Sequence, residues 1–322
     1  MRAVQTSLHT LFGPAATAAE AAVGVDLTGR VALVTGGSSG LGLETVRVLA
    51  ARGASVCVTA IDPVAARAAL KGIAGVEVEH IDLFDRPSIE RFAAAFLKRQ
   101  SRLDILILNA GVMAKPLIRD IDGHERHFSA NYLGHFRLTA LVWPALLAAP
   151  KSRVVVLSSR AHHLCDVDLD DLDFVRRPYD KWMAYGQSKT ANALLAVSLD
   201  ERGRHHGIRA FSVHPGMIIT PGIQHLTRAE LDAFAVLAAD GTPIIDPTRD
   251  MKTVEQGAAT TVWCATSPML DSIGGVYCEN CDVAPVDQDS SFGVRPYAID
   301  PQRAELLWQA TARLTGIDIT RP

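Results

Sequence analysis

A glycine-rich string between a short β-branched run and a helical pattern constrains the fold of this chain most. Val31–Thr35 predicts a strand, and the string Gly36-Gly37-Ser38-Ser39-Gly40-Leu41-Gly42 follows it directly. Residues 41–52 then show a helical pattern, and Ser55–Ala60 predicts a second strand. A strand, a glycine turn, a helix and a strand within about 30 residues form a βαβ unit, so the pattern predicts a parallel sheet.

The glycines of this string are suited to binding a phosphate group. Gly36, Gly40 and Gly42 lack Cβ atoms at points where the backbone has to turn tightly and lie against a pyrophosphate. The free N–H groups and the positive dipole end of the following helix then hold the anion. The spacing is G-x-x-x-G-x-G and departs from the G-x-G-x-x-G of the usual dinucleotide fold. The string predicts a dinucleotide site, and the alternative is a plain tight turn between strand and helix.

The alternation of strands and helices continues along the rest of the chain. Further strands are predicted at residues 76–80, 104–108, 153–157, 208–213 and 274–279. Helices are predicted at residues 87–100, 123–147, 182–204, 253–266 and 301–314. We therefore expect an α/β fold, a single doubly wound, Rossmann-like domain with a mostly parallel sheet of about seven strands flanked by helices.

The domain organisation follows from the same pattern. Residues 1–26 are expected to form an N-terminal arm, and residues 27–284 a dinucleotide-binding catalytic domain. Within it, the long irregular segments 160–180 and 221–252 are interpreted as substrate loops, because long loops in compact domains usually bind ligands. Residues 285–322 are interpreted as a C-terminal tail with a helix that belongs to the same domain.

The composition excludes several classes of protein. The chain has 322 residues, with 32 Lys and Arg against 35 Asp and Glu, and this balance offers no basic field for nucleic acid. No apolar run approaches the roughly 18 residues of a membrane span, and residues 1–24 lack the apolar core of a signal peptide. The five cysteines, an odd number, are interpreted as reduced thiols. We expect a cytoplasmic protein without a membrane span.

Tyr185 and Lys189 form a pair with a possible acid/base role. They lie four residues apart at the start of a helical pattern, so the phenol and the ammonium project from the same helix face. A phenol has an ordinary pKa of about 10, and a nearby cation favours the phenolate, so we expect Lys189 to lower the pKa of Tyr185. Such a pair can exchange a proton with an alcohol oxygen. The alternative is a surface pair without a chemical role.

Small and polar residues follow the predicted strands at their carboxyl ends, where open α/β sheets bind ligands. Asn109-Ala110-Gly111 ends the fourth strand, Ser158-Ser159 the fifth, and His214-Pro215-Gly216 the sixth. Asn109 can hold the strand or touch a ribose. Asn131 lies within a predicted helix, where Asn is unfavourable because it competes for backbone hydrogen bonds. That cost suggests a use for Asn131, and an exposed helix Asn is the alternative.

The end of the second strand bears on the choice of cofactor. A carboxylate there binds the ribose hydroxyl of NAD, whereas a cation accepts the 2′-phosphate of NADP. Ile61 offers no charge, Asp62 follows it, and the glycine string contains no Lys or Arg, so the sequence leans towards NAD over NADP. Past the third strand, Asp82-Leu83 could place a carboxylate on the adenine, or Asp82 could cap the next helix.

Taken in order, these motifs resemble the short-chain dehydrogenase/reductase family. The resemblance rests on residues 35–42, 109–111, Asn131, Ser159, the Tyr185/Lys189 pair and Pro215-Gly216, and it covers residues 27–283. Residues 154–163 and 188–192 resemble its retinol-dehydrogenase-like branch. The resemblance implies an NAD(P)-dependent oxidoreductase that interconverts an alcohol and a carbonyl by hydride transfer. Its substrate would be small or medium and apolar, like a retinoid, a steroid or a polyketide. The alternative is a catalytically silent NAD(P)-binding sensor or scaffold.

The resemblance also implies roles for particular residues. Tyr185 would be the general acid or base, and Lys189 would lower its pKa and bind the nicotinamide ribose. Ser159 would hydrogen-bond the reacting oxygen, and Asn131 would position a water that links Lys189 to solvent. The residues implied to bind NAD(P) are Gly36, Ser38, Ser39, Gly40, Leu41, Gly42, Ile61, Asp62, Asp82, Leu83, Asn109, Ala110, Gly111, Tyr185, Lys189, Pro215, Gly216, Ile218 and Thr220.

Other polar clusters are interpreted without a chemical role, and no metal site is predicted. Cys278 and Cys281 fall short of the four ligands of a structural zinc. His124 and His127 are expected to be solvated helix residues. The pair His162-His163 is expected to face water in a loop, and the alternative is that it touches the substrate.

The expected partner is a small apolar alcohol or carbonyl, with no nucleic acid. The predicted helix 182–204 has an Ala- and Leu-rich face. This face could pair with a second subunit in a homodimer or homotetramer, or it could be buried in the core of the chain.

Overall fold

One eight-stranded sheet organises the chain. The computed structural model describes residues 5–219, 226–238 and 240–319. The strands are β1 (Val31–Thr35), β2 (Ser55–Ala60), β3 (Val76–His80), β4 (Ile105–Leu108), β5 (Ser152–Leu157), β6 (Ile208–Val213), β7 (Val276–Glu279) and β8 (Asp282–Val283). Their order is β3-β2-β1-β4-β5-β6-β7-β8, with parallel pairs throughout except for the antiparallel pair of β7 and β8.

Helices cover both faces of this sheet. They are α1 (Ala18–Ala21), α2 (Gly40–Ala51), α3 (Pro63–Ala69), α4 (Arg86–Arg99), α5 (Gly134–Leu147), α6 (Lys181–Gly203), α7 (Arg228–Ala233), α8 (Val254–Gly257), α9 (Ala259–Thr266) and α10 (Pro301–Thr315). Successive strand residues point to opposite faces, so Leu33 and Leu106 belong to one hydrophobic core while Val34 and Ile107 belong to the other. The predicted doubly wound, Rossmann-like fold is confirmed.

The strand order reverses between β1 and β4, because β2 lies on one side of β1 and β4 on the other. Such a switch point opens a crevice at the carboxyl ends of the strands, and open α/β sheets bind their ligands there. The polar and glycine clusters predicted from the sequence follow β1, β4, β5 and β6, so the topology brings them to one edge of the sheet.

Three local differences from the prediction have physical reasons. The strand β8 was not predicted, because two residues are too short to show a period of two. Helix α3 was also missed, although Asp62 caps it and Pro63 opens it in the usual way. The predicted helix 123–147 contains a π-helical turn at Phe128–Leu133 before α5 begins.

The C-terminal helix α10 covers the face of α6 that suggested a subunit contact. Leu194 and Leu199 of α6 are buried in the same hydrophobic core as Leu307 and Trp308 of α10. The guanidinium of Arg202 on α6 lies 3.8 Å from the centre of the Trp308 ring. Burial within a single chain therefore accounts for the apolar face of α6.

The described part of the N-terminal arm lies against β7 and β8, at the edge of the sheet that is farthest from β3. The Gln5 amide exchanges hydrogen bonds of 2.7 and 2.9 Å with the backbone of Tyr277, and Ser7 donates to Asp282. Among the helices that the structure describes, none combines the length and the apolar composition that a bilayer span requires.

Candidate active site

Tyr185 and Lys189 lie in the first turns of α6, which Asp180 caps by accepting the backbone N–H groups of Trp182 and Met183. The Lys189 Nζ lies 5.6 Å from the centre of the Tyr185 ring. It donates a 3.0 Å hydrogen bond to the carbonyl oxygen of Leu157, at the end of β5. The helix spacing therefore brings the phenol and the ammonium to the same place, as predicted.

Ser159 follows β5 and faces Tyr185 across the crevice. Its hydroxyl lies close enough to the Tyr185 phenol to lower the pKa of that group. It also caps the short 3₁₀ turn Arg160–His163, because Oγ accepts the N–H of Ala161 at 3.2 Å. A hydroxyl has one proton and two lone pairs, so Ser159 can still donate after accepting from Ala161. The serine and the tyrosine thus present hydroxyl groups to one point.

Burial sets the acidity of this pair, and it acts against the expected direction for the tyrosine. Burial raises the pKa of Tyr185 to about 12, and the neighbouring Ser159 hydroxyl only partly opposes this rise. Burial lowers the pKa of Lys189 to about 8. The expectation that Lys189 lowers the pKa of Tyr185 is wrong for the polypeptide by itself. The reason is that removing either charged form from water is costly, and no attraction between the two groups offsets this cost.

Asn131 lies in the π-helical turn Phe128–Leu133, fully buried, so an exposed helix Asn is excluded. Its side chain accepts the N–H of Val112 at 2.8 Å, donates to the Val112 carbonyl at 2.9 Å and donates to Ser188 Oγ at 2.9 Å. A Cβ atom placed on Gly111 would lie 3.1 Å from Asn131 Oδ1 and 3.7 Å from Lys189 Nζ. The Asn131 and Lys189 side chains therefore both lie beside Gly111, just after the end of β4. π-Helical turns occur frequently at functional sites.

The glycine string forms a cradle that side chains would fill. Gly36 has φ of +65°, a conformation that favours glycine. A Cβ on Gly42 would lie 2.3 Å from the Gly36 carbonyl oxygen and 2.6 Å from Asn109 Nδ2. Asn109 holds this turn, since its Nδ2 donates to the carbonyls of Thr35 and Gly36 at 2.9 and 3.1 Å. Of the two roles open to Asn109, the structure shows the one that holds the strand.

The rest of the string leads into α2 with backbone N–H groups at its start. Ser39 is the N-cap, but its side chain makes no capping hydrogen bond, and no acidic residue lies in the first turn. The N–H groups and dipole of this 12-residue helix are therefore directed at the crevice, as a pyrophosphate requires. Together with the cradle, this geometry fits a dinucleotide phosphate group.

The segment after β6 meets the glycine string. A Cβ on Gly257 would lie 2.7 Å from Leu41 and 2.8 Å from Ile218, so these two side chains pack over the same glycine. Gly216 has φ of +106°, and the N–H of Met217 donates to the carbonyl of Asp250 at 2.7 Å. The structure therefore brings Leu41, Gly216 and Ile218 to one edge, together with Pro215. The predicted Thr220 lies outside the described residues.

The residues assigned to the adenosine end have local structural roles. Asp62 Oδ1 caps α3 by accepting the N–H groups of Val64 and Ala65 at 2.9 and 3.0 Å, while Ile61 is 71% exposed. Asp82 accepts the N–H of Phe84 at 2.9 Å, and Leu83 is buried. Asp82 therefore stabilises the turn just before α4, although the N-cap of that helix is Asp85. One carboxylate oxygen of Asp62 is already used in capping α3.

The sequence reasoning missed His135, which joins the cradle to Asn131. Its Nδ1 lies 2.9 Å from the Asn131 carbonyl and its Nε2 lies 2.9 Å from the Thr35 hydroxyl. A carbonyl can only accept, so Nδ1 carries the proton and the Thr35 hydroxyl donates to Nε2. The same hydroxyl accepts the N–H groups of Asn109 and Ala110. The only signal in the sequence was the four-residue spacing from Asn131.

Three histidines expected to be solvated are buried instead. His124 pairs with Asp173 at 2.9 Å, and His127 pairs with Glu125 at 2.7 Å. The His127 ring lies 6.1 Å from the Tyr185 ring, edge to face. His162 is fully buried behind Ser159. Residue type alone favoured solvent, whereas hydrogen-bond partners inside the fold make burial possible.

The comparisons with known proteins agree with this geometry. A family model described as short chain dehydrogenase matches residues 30–231. The chain belongs to the short-chain dehydrogenase family. Members of this family typically bind NAD or NADP.

Its relatives include enzymes of the predicted branch. A probable oxidoreductase of Streptomyces antibioticus is 43% identical over 296 residues, which cover 88% of this chain and 97% of the relative. Retinol dehydrogenase 12 of Homo sapiens is 35% identical over 299 residues, 91% of this chain and 88% of the relative. A crystal structure of an uncharacterized protein from Mycobacterium Paratuberculosis matches with a TM-score of 0.72 at 32% identity, over 93% of this chain and 98% of that chain. The predicted family and its retinol-dehydrogenase-like relatives are thus confirmed.

Proposed function

We propose that this protein is an NAD(P)-dependent oxidoreductase that interconverts an alcohol and a carbonyl on a small or medium apolar substrate. The observation that carries the proposal is that the Ser159 hydroxyl and the Tyr185 phenol lie together beside the buried ammonium of Lys189. These groups lie at the carboxyl ends of the strands, next to a glycine cradle that fits a dinucleotide. A pure binding protein needs no acid/base group at that point.

The chain's own residues would hold and protonate the substrate, while the bound nicotinamide would supply or accept the hydride. Ser159 would donate its hydroxyl proton to the reacting oxygen and fix its position. Tyr185 would move a proton to or from the same oxygen. With its pKa raised to about 12, the phenol keeps its proton at neutral pH and suits the donation that carbonyl reduction requires.

Lys189 would contribute a positive charge at the nicotinamide ribose. Its pKa of about 8 leaves it mostly protonated at neutral pH. The hydrogen bond to Leu157 fixes the direction of the ammonium. Asn131 would complete the proton path, because its side chain and Lys189 Nζ lie around the same backbone glycine, Gly111.

Aromatic residues near the start of α6 support an apolar substrate. The rings of Trp182 and Phe234 pack edge to face at 5.2 Å, and Lys181 forms an ion pair with Glu230 at 2.5 Å. These contacts bring α7, in the predicted substrate loop, to the N-terminus of the helix that carries Tyr185. One relative is named as a retinol dehydrogenase, which acts on an apolar alcohol.

Tyr185→Phe tests the proposal. The change removes one hydroxyl from the crevice and leaves the cradle intact, so we expect turnover to be lost while dinucleotide affinity changes less than about threefold. Turnover is measured with retinal, nonanal and a ketosteroid as carbonyls, and affinity by fluorescence titration. Tyr132→Phe is the matched control, because its hydroxyl bonds Thr311 at 2.8 Å in the core and should affect stability only. Normal turnover of Tyr185→Phe contradicts the proposed role.

We further propose that NAD is favoured over NADP, with Asp62 as the discriminating charge. Ile61 offers no cation to a 2′-phosphate, and the Asp62 carboxylate lies next to it. Asp62→Asn keeps a good N-cap for α3 but removes the charge. We expect the ratio of NADPH to NADH affinity to rise about tenfold in this variant, measured by titration with both dinucleotides. An unchanged ratio, or tighter NADPH binding by the unmodified protein, contradicts this assignment.

We propose a cytoplasmic location and one catalytic domain for the chain with the boundaries given above. All five cysteines are free, and four of them are buried, which supports a reducing compartment. Helix α10 packs onto α6, which supports a tail that belongs to the same domain.

A further inference from the structure

His162 makes contacts that the proposed reaction does not use. Its Nδ1 lies 2.7 Å from the carbonyl oxygen of Ser159, and its Nε2 receives the N–H of Arg295 at 3.1 Å. A backbone amide can only donate and a carbonyl can only accept, so Nε2 is the acceptor and Nδ1 carries the proton. Burial lowers the pKa of His162 to about 2, so the ring stays neutral and keeps this one tautomer.

Polar groups continue from His162 to the helix that carries the acid/base pair. The Tyr277 hydroxyl lies 3.2 Å from His162 Nδ1, and Ser158 lies close enough to the Tyr277 phenol to lower the pKa of that group. Ser158 Oγ in turn donates to the backbone carbonyl of Lys189 at 2.7 Å. His162, Tyr277 and Ser158 therefore form a chain of polar side chains between the backbone of Ser159 and the backbone of Lys189.

The segment after the sheet holds His162 from its other side. Besides the N–H of Arg295, the Tyr297 hydroxyl donates to the backbone carbonyl of His162 at 2.6 Å. His162 is thus fixed at its ring and at its backbone by residues more than 130 positions away. These contacts account for its complete burial in a short loop.

We propose that His162 is a positioning residue, which holds the Ser159 carbonyl through Nδ1–H and so sets the position of the Ser159 hydroxyl against Tyr185. The proposal rests on the proposed function, because it assigns His162 an effect only through Ser159. The 3₁₀ turn itself supplies one hydrogen bond to the Ser159 carbonyl, from the N–H of His162 at 3.1 Å. The imidazole supplies a second and shorter one. A single 3₁₀ turn is a weak support by itself, and the ring ties it to the rest of the fold.

The experiment is a double-mutant cycle with His162→Leu and Ser159→Ala. Turnover is measured with the carbonyl that the unmodified protein reduces fastest among retinal, nonanal and a ketosteroid. Ser159→Ala should lower kcat by about 10²–10³, the effect of losing one oxyanion donor. His162→Leu should lower kcat by about 10 to 100-fold, the effect of misplacing a catalytic group by up to about 1 Å. In the Ser159→Ala background, His162→Leu should lower kcat less than about threefold, because there is no hydroxyl left to position.

Three further variants separate positioning from general support. His162→Asn keeps a donor near the place of Nδ1–H and should recover most of the loss. His163→Leu is the matched control, because the neighbouring ring contacts the Gly293 carbonyl at 3.0 Å rather than Ser159, and kcat should stay within about twofold. Tyr277→Phe is the substitute test if His162→Leu fails to fold. It removes only a hydroxyl that lies next to His162 Nδ1, and it should lower kcat about threefold or more.

The outcomes distinguish this inference from the proposed function. Normal turnover in Ser159→Ala removes the role of Ser159 and with it this inference, while the oxidoreductase activity itself stands. Absence of turnover by the unmodified protein with all three carbonyls overturns the proposed function instead. If Ser159→Ala is impaired but adding His162→Leu to it still lowers kcat by the same factor as in the unmodified protein, the inference alone is overturned. His162 then acts independently of Ser159. A loss in His163→Leu equal to that in His162→Leu overturns it as well, because it indicates a general effect of the loop.

Discussion

Replacing Lys189 by Met should stabilise the fold while it removes activity. Lys189 is 5% exposed, and burial lowers its pKa from 10.5 to about 8. At about 1.4 kcal/mol per pKa unit, keeping the ammonium buried costs the folded state about 3 kcal/mol at neutral pH. Met removes this cost and fills a similar volume. Met also removes the hydrogen bond from Lys189 to the Leu157 carbonyl, which is worth about 1 kcal/mol. The Leu157 carbonyl keeps its hydrogen bond from Asn192 Nδ2.

The net expectation is a gain of about 2 kcal/mol in the free energy of unfolding of the dinucleotide-free protein at pH 7. For a chain of 322 residues, this corresponds to a rise of about 3 °C in Tm. The sign depends on pH. Between pH 8 and pH 10.5 the unfolded chain binds more protons at Lys189 than the folded one, so the unmodified protein gains stability with rising pH. The advantage of the variant should therefore disappear across this range.

Urea unfolding at pH 7 and at pH 10 measures the stability gain of the variant and its loss at high pH. Turnover is measured in parallel. Lys71→Met is the matched control, because Lys71 is exposed and its replacement should change stability by less than about 0.5 kcal/mol at either pH. Lower stability of Lys189→Met at pH 7 refutes the reasoning, as does a difference between variant and unmodified protein that stays constant from pH 7 to pH 10.

Two further predictions concern the cradle and the pH dependence of the reaction. Gly42→Ala places a Cβ 2.3 Å from the Gly36 carbonyl oxygen, so the turn has to shift. We therefore expect dinucleotide affinity, measured by titration, to fall at least about tenfold. Affinity equal to that of the unmodified protein contradicts the phosphate role. Since Lys189 loses its charge above a pKa of about 8, kcat/KM for the dinucleotide should decline above pH 8; a profile that stays flat to pH 10 shows that the ammonium is not required.

Local patterns in the sequence were sufficient for most of the fold. The strand Val31–Thr35, the glycine string and the helix after it were predicted within a residue of their observed bounds, because the signals are contiguous. The spacing of Tyr185 and Lys189 likewise required only helix geometry. The short β8 and the π-helical turn at Phe128–Leu133 were not predictable, since neither produces a regular period.

Acidity and burial at the site depended on residues that are distant in sequence. From the sequence, Lys189 was expected to lower the pKa of Tyr185, yet the packing of β5 and α6 excludes water from both groups and raises it. His162 was expected to face solvent, yet Arg295 and Tyr297 arrive from the C-terminal segment and provide its partners. Asp62 similarly became a helix cap because α3 begins beside it.

The sequence by itself determined the order of the strands and helices along the chain, the glycine turn after β1 and the face shared by the phenol and the ammonium. These follow from covalent geometry and from spacing within a few residues. The tertiary structure decided how much water each of these groups retains and which neighbours accept their protons. Desolvation and hydrogen-bond partners are properties of groups brought together from distant positions, and a linear pattern does not contain them.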